Sequence, residues 1–310
     1  MSEIETFPAR QDKRLREDDV VGLLRSGMTL GIGGWGSRRK PMSIVRAILR
    51  SDLTDLHLVT YGGPEVGMLC AAGKVGHLTF AFVAPDNSTS AVLLEPHFRA
   101  ARQSGAITCT ELDEGMLGLG LQAAAWRVPF LPTRVGLGSD LHLVNPGLKT
   151  VRSPYPSADG SDGEELIAQP AIHLDAAICH LNVGDERGNA AFTGPDLYYD
   201  DLLLEAAEQR FVSVERIVPT GGLLDAAGDI TRLRVNRLFV DGIVEAPNGA
   251  HPTECDPDYG RDLRFQKEYL GTAKDPDLWA AFRSQWLSFP TEADYQAALA
   301  ARPAPTEDAS

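Results

Sequence analysis

Cysteine is scarce in this chain. There are four, at positions 70, 109, 179 and 255 of 310, and no two form a CxxC pair. That spacing excludes the usual structural zinc sites and reads as free thiols in a reducing compartment. Basic residues are in the minority, 29 against 43 acidic ones, for a formal net charge of −14. A general nucleic-acid binder needs a basic field, so that class is excluded and only a local basic pocket remains open. No apolar run approaches the about 20 residues of a membrane-spanning helix, and the opening "MSEIETFPARQDKRLRED" lacks the apolar core of a signal peptide. The expectation is a cytoplasmic protein with neither nucleic acid nor membrane as partner. The P-loop pattern GxxxxGK[ST] and the serine-hydrolase elbow GxSxG are both missing.

What the chain does have is a rhythm. "REDDVVGLLRSG" reads as a helix whose Val20, Leu23 and Leu24 share a face, with acids in its first turn and Gly27 after its end. "MTLGIGG" is a short buried strand, "PMSIVRAILRS" a helix with Pro41 in its first turn, and "LHLVTY" a strand ended by Gly62, Gly63 and Pro64. A helix over 66–72, the strand "LTFAFVA", the helix "EPHFRAARQSG", the strand "AITCTEL" and the helix "MLGLGLQAAAWRV" continue the alternation. The long apolar strand "IHLDAAICHLNVGD", the helix "LLLEAAEQR" and the strands "FVSVERIV" and "LFVDGIVEAP" follow. The last part, "DLWAAFRSQWLS" and "TEADYQAALAAR", is helical, with Thr291 as a cap. Strand, loop, helix, strand predicts an α/β fold: an open, mainly parallel sheet with flanking helices. Residues 15–302 read as one domain between polar tails at 1–14 and 303–310. The stretch 153–164, rich in Pro, Gly, Ser and Asp, reads as an excursion within it.

Against the acidic background, residues 30–49, "LGIGGWGSRRKPMSIVRAIL", stand apart. A strand enters a glycine-rich turn, three cations follow, and a helix begins. Exposed backbone N–H groups at Gly33, Gly34 and Trp35 suit an anion or the oxyanion of a carbonyl. Arg38, Arg39 and Lys40 would add carboxylate contacts, for which arginine is especially suited.

Four stretches in order, "LRSGMTLGIGGWG", "RVPFLPTRVGLGSDL", "HLNVGDERGNAAFTG" and "IVEAPNGAHPTEC", resemble the α subunit of the class I CoA-transferase family over roughly residues 20–265. "GWGSRRKP", "TELDEGM", "AFTGPDLYYDDLLLEAAEQRFVSVERIV" and "PDYGRD" are similar to a steroid ring-cleaving branch of that family. The resemblance implies a CoA-transferase-like fold and a homologous β subunit in an αβ or α₂β₂ heteromer. It implies an acyl-CoA substrate: a cyclic β-keto thioester with a further carboxylate, opened by hydrolysis in cholesterol-type degradation. Coenzyme A would belong to the substrate, with no separate cofactor and no metal. The Ser-Glu-Asn-Gly-like motif that carries the transferases' nucleophilic glutamate on the β subunit is absent here. The transferases also mostly have small or apolar residues where this chain has its three cations.

Hydrolytic C–C cleavage of such a thioester needs a base for water and donors for the oxyanions. "TELDEGM" offers Glu111, Asp113 and Glu114 at a strand-to-helix junction, the region where open α/β sheets place ligands. Asp113 reads as the helix cap, Glu114 as the base, and Glu111 as the second candidate. Arg134, Ser139 and Asp140 would line the acyl pocket at the subunit boundary. His142, His180 and His251 read as structural hydrogen-bonders. Asn182, Asp185, Asn189 and Asp196 read as loop closures of the Asx type. Two alternatives stay open: a CoA-transferase α subunit for a dicarboxylic acid, or a non-catalytic subunit that only forms the pocket.

Overall fold

The computed structural model describes residues 12–85 and 94–303. Its strands are β1 (Arg14–Leu15), β2 (Thr29–Trp35), β3 (Leu56–Gly62), β4 (Val75–Val83), β5 (Thr108–Glu111), β6 (Phe130–Thr133), β7 (Lys149–Arg152), β8 (Glu165–Pro170), β9 (Leu174–Asp185), β10 (Ala190–Ala191), β11 (Ala207–Val218) and β12 (Gly242–Glu245). The large sheet runs β1-β12-β11-β9-β2-β3-β4-β5, parallel at every step along that path, with β10 antiparallel on β9. Its central strands are buried on both faces. Ile32 and Ile178 point into one apolar layer, and Ala177, Cys179 and Leu181 into the other. Each fully buried Leu or Ile contributes about 1.5–3 kcal/mol. Helix Met42–Arg50 closes the first layer through Ile44 and Ile48. Helix Glu114–Ala125 closes the second through Met116, Leu117 and Leu121.

The winding reverses at the middle of the sheet. From β2 the chain builds outward through β3, β4 and β5; from β9 it builds the other way through β11 and β12. β2 and β9 are in register only from Leu30 opposite Ala176 to Ile32 opposite Ile178, although β2 continues to Trp35 and β9 to Asp185. Past Ile32 the two strands part and leave a crevice at their carboxyl ends. That topological switch point is where open α/β sheets hold ligands.

Two expectations are corrected, and further elements lie beyond them. "LLLEAAEQR" is helical only over Asp200–Ala206, because β11 starts at Ala207 to pair with Leu174 of β9. "LFVDGIVEAP" is strand only over Gly242–Glu245, after a single 3₁₀ turn at Arg237–Phe239 that Asn236 caps. The region around the 153–164 excursion forms a second sheet, β6-β8-β7, antiparallel throughout, in which the excursion joins β7 to β8. Helix Leu263–Gly271, capped by Asp262, adds to the expected helices. The N-terminal tail ends in a strand, Arg14 lying beside Ile243 at the sheet edge; residues 1–11 and 304–310 fall outside the described residues. Among the described residues no helix is long and apolar enough to cross a membrane.

Candidate functional site

The glycine loop closes on itself at the mouth of the crevice. Trp35 and Arg38 exchange backbone hydrogen bonds of 3.0 Å each, making a tight turn in which Gly36 takes φ +55°. A side chain at Gly33 would come within 2.5 Å of the Asp200 carboxylate, and one at Gly34 (φ +74°) within 2.3 Å of the Arg38 carbonyl. The glycines therefore let the loop pack onto buried Asp200, which accepts the Gly34 amide at 2.7 Å. The Trp35 amide is donated to Arg38 and the Gly36 amide to the Tyr61 carbonyl. This corrects the oxyanion-hole expectation for the loop, since its amides from Gly34 to Gly36 already have partners. Residues 31–36 also spell the spacing GxGxxG. The helix that follows, however, begins only at Met42, so the loop does not run directly into a helix N-terminus as that pattern requires.

The three cations divide. Arg39 is buried: it donates to the His180 carbonyl at 2.7 Å, to Asp200 at 2.9 Å and to the Asp196 carbonyl at 2.9 Å. His180 lies just past Ile178, where β9 has lost β2 as a neighbour, so the guanidinium fills the gap between the parted strands. Burial pushes the Asp200 carboxyl up, and Arg39, the Gly34 amide and Lys40 pull it back. Lys40 is fully buried against fully buried Glu65, 2.9 Å away, and also donates to the Tyr61 carbonyl at 2.7 Å and Thr60 at 3.0 Å. Its desolvation lowers its pKa, opposed by Glu65. Arg38 keeps a side-chain exposure of 26%, lies 4.7 Å over the Trp35 ring and pairs with Glu254 at 3.3 Å. The expectation that all three cations meet a substrate is thereby narrowed to Arg38; Arg39 and Lys40 hold the framework.

Beside the turn lies a cleft of about 500 Å³ lined by Trp35, Arg38, Glu114, Asp196, Tyr198 and Tyr199. Glu114 is the first residue of its helix, and Asp113 caps that helix as expected, accepting the Gly115 amide at 2.7 Å. Tyr61 donates to the Glu114 carbonyl at 2.9 Å and stacks on Tyr199 with ring centroids 4.4 Å apart, which fixes the helix start. The Glu114 carboxylate has no hydrogen bond or ion pair among the described residues. Partial burial raises its pKa above 4.5, and the Asp113 charge adds to this.

Glu111 goes elsewhere. It pairs with Arg102 at 2.8 Å and lines a separate cleft with Phe80, Phe82 and Phe98. Arg134 is exposed and engages Glu164 through two contacts of 2.6 Å; Ser139 donates to the Gly136 carbonyl at 2.7 Å; Asp140 precedes the short helix Leu141–Val144. None of these three lines the cleft. His180 bonds Ser213 at 2.8 Å and Glu215 at 2.7 Å, and His251 bonds Tyr295 at 2.6 Å and Asp262 at 3.1 Å, so both are structural as expected. The atoms of His180, Glu215 and Cys255 that could bind a metal lie within 4.8 Å of one another. Both ring nitrogens and the carboxylate are already engaged, Tyr259 also donating to Glu215, and burial keeps the thiol protonated. Asp185 accepts the Arg187 and Asn189 amides and Asp196 the Tyr198 amide, the loop closures expected of them. Sequence reasoning missed Tyr61, Glu65, Tyr198, Tyr199 and Asp200. Only the doublet in "PDLYYDD" was a visible signal for any of them.

A family model described as Coenzyme A transferase matches residues 16–246. The cholesterol ring-cleaving hydrolase IpdA subunit of Rhodococcus jostii (strain RHA1) is 56% identical over 292 residues, covering 94% of this chain and 97% of that one. The protein of the same name from Mycobacterium tuberculosis (strain H37Rv) is 58% identical over 289 residues, covering 93% and 97%. Among solved structures, glutaconate coenzyme A-transferase from Acidaminococcus fermentans superposes with a TM-score of 0.82 at 26% identity, covering 93% of each chain. The parted parallel sheet, the turn at its switch point and a likeness that spans nearly the full length of subunits of multi-chain enzymes agree: the chain belongs to the coenzyme A transferase family.

Proposed function

We propose that the chain is the α subunit of a hydrolase that opens the last carbocyclic ring of a steroid-degradation intermediate, a cyclic β-keto acyl-CoA, together with a homologous β subunit. The observation that carries this reading is the cleft at the switch point. It is lined by Glu114, whose carboxylate has no hydrogen bond or ion pair among the described residues, by the partly exposed cation Arg38, and by the aromatic rings of Trp35, Tyr198 and Tyr199. A raised pKa suits a general base working near neutral pH. In this reading Glu114 removes a proton from water as its oxygen bonds to the ring ketone carbon. Collapse of the adduct breaks the bond to the α-carbon, and the electron pair becomes a thioester enolate that the same proton quenches. Arg38, over Trp35, receives the substrate's side carboxylate. The similarity to IpdA subunits at 56% and 58% identity supports the substrate class.

The test is single-turnover ring opening by the co-expressed αβ complex. Glu114→Gln keeps size and most hydrogen bonding but removes basicity, and should slow turnover by about 10²–10⁴-fold. Near-normal rates would move the base to the β subunit and leave this chain a pocket former. The transferase alternative draws on the glutaconate CoA-transferase likeness. It requires a covalent glutamyl-CoA adduct on the complex and no turnover without an acceptor acid.

A further inference from the structure

Tyr198 is held in a conformation its residue type avoids. Its φ is +58°, in the left-handed region that sterically disfavours a bulky side chain. Such an outlier persists only where its surroundings enforce it, and outliers of this kind concentrate at working sites. Two contacts enforce it here. Asp196 accepts the Tyr198 amide at 2.8 Å, closing the turn before it. The Arg39 guanidinium lies 4.9 Å from the Tyr198 ring centroid and is itself fixed by Asp200 and by the carbonyls of His180 and Asp196. The buried cation of the switch point thus clamps both the loop and the ring.

The clamp sets the half-buried ring in the wall of the cleft that holds Glu114 and Arg38. Among the described residues nothing accepts from or donates to its hydroxyl. Burial pushes the phenol up to about 12, with Arg39 and Arg38 opposing, so it stays protonated at neutral pH and can donate. A fixed, unpartnered O–H donor in the same cleft as a general base is what a reaction that builds charge on a carbonyl oxygen needs. The glycine loop, whose amides are engaged, does not supply it.

We propose that Tyr198 is the oxyanion donor of this site: its hydroxyl hydrogen-bonds the ring-ketone oxygen as that oxygen becomes negative. The assignment rests on the ring-opening reading above. As Glu114 takes the water proton and the C–O bond forms, the carbonyl π pair moves onto oxygen, where Tyr198 stabilises it without giving up its proton. When that pair re-forms the carbonyl, the C–C bond breaks towards the thioester enolate, and the Glu114 proton passes to carbon. Water is the only co-reactant.

The test uses the co-expressed complex and 2-oxocyclohexane-1-carbonyl-CoA as the probe. Tyr198→Phe keeps the ring and its contact with Arg39 and removes only the hydroxyl. It should lower kcat by about 10²–10³-fold, with KM within about threefold and an unchanged melting midpoint. Tyr198→Asn, which tolerates the left-handed backbone but loses the ring, should be as inactive, and the unchanged melting midpoint of Tyr198→Phe keeps loss of activity from being ascribed to misfolding. Tyr198→Phe within fivefold of wild type in kcat, in a complex where Glu114→Gln is inactive, overturns the Tyr198 assignment and leaves the ring-opening reading standing. A wild-type complex that leaves both this probe and its carboxyalkyl-bearing analogue intact overturns both. An inactive Tyr198→Phe beside an active Glu114→Gln retains the donor and removes the base.

Discussion

Replacing Lys40 by Met removes a charge that the structure places wholly inside the protein. Its ammonium touches Glu65 at 2.9 Å, the Tyr61 carbonyl at 2.7 Å and Thr60 at 3.0 Å, and neither charged side chain reaches solvent. Met fills most of the volume but leaves the Glu65 carboxylate buried without its counter-charge. Breaking one side of a buried pair typically costs about 3–5 kcal/mol. Glu65 still accepts the Gly63 amide at 3.0 Å and the Thr60 hydroxyl at 3.2 Å, which places the loss at the lower end, about 3 kcal/mol. At about 2 °C per kcal/mol for a chain of this size, the melting midpoint should fall by about 6 °C. Lys40→Met combined with Glu65→Gln removes the stranded charge and should regain about 1 kcal/mol or more over Lys40→Met alone. The assay is thermal unfolding of the αβ complex at fixed concentration, with KM for the cyclic β-keto acyl-CoA measured on each folded variant. A framework cation leaves KM within about threefold. An unchanged midpoint with a tenfold or greater rise in KM would refute the assignment and return Lys40 to the substrate.

Other perturbations separate the remaining roles. Arg38→Ala should raise KM for a substrate that carries the side carboxylate, more at low than at high salt, and cost at most about 1 kcal/mol of stability because its pair with Glu254 is partly exposed; equal KM values with and without that carboxylate in the wild type would count against it. Because burial and the Asp113 charge hold Glu114 above 4.5, the rising limb of kcat/KM should lie above that pH, and Asp113→Asn, which can still cap the helix, should move it downward. Buried Glu95 has its pKa raised to about 7, chiefly by desolvation. A carboxyl raised in the folded state contributes stability that is complete below its unfolded value of 4.5 and is lost as pH rises through about 7. Glu95→Gln, which can still bond the Phe98 amide and Tyr269, should therefore flatten the midpoint-versus-pH curve between pH 5 and 7; a curve of unchanged slope would show that the carboxyl is ionised throughout.

Much of the fold was legible because its signals are local. Strands such as β2 and β3 are short apolar runs bounded by glycine or proline, and several helices carry their own punctuation, such as Gly105 in the left-handed region after Ser104 and Thr291 capping Glu292–Ala300. What did not read was set by pairing across the chain. Ala207 to Arg210 have a helix-forming composition, yet they are strand because β9 offers Leu174 to Ala177 as a parallel neighbour. The β6-β8-β7 sheet rests on two four-residue strands too short to show a period, β6 and β7, with their shared partner β8 contributed from beyond a long excursion.

The site divided along the same line. Glu114 was legible because its position is a local fact: a carboxylate directly after a capping Asp, at the end of a strand. The fate of Arg38, Arg39 and Lys40 was not, because three adjacent cations look alike until their counter-charges are known. Those lie at Glu254, Asp200 and Glu65, distant in sequence except the last. A turn with Gly36 at positive φ reverses the chain between Trp35 and Arg38, and the next residues then enter the gap where β2 and β9 part. A gap in a parallel sheet exposes carbonyls that must be satisfied, and a buried guanidinium with a buried carboxylate can do so where water has no room. The acid that accompanies Arg39 also receives the Gly34 amide, so glycine loop and cation answer one requirement together. Glycines beside arginines after a strand thus read as an anion site from the outside, while in this chain the anion they hold is Asp200 and the cation left facing the cleft is Arg38.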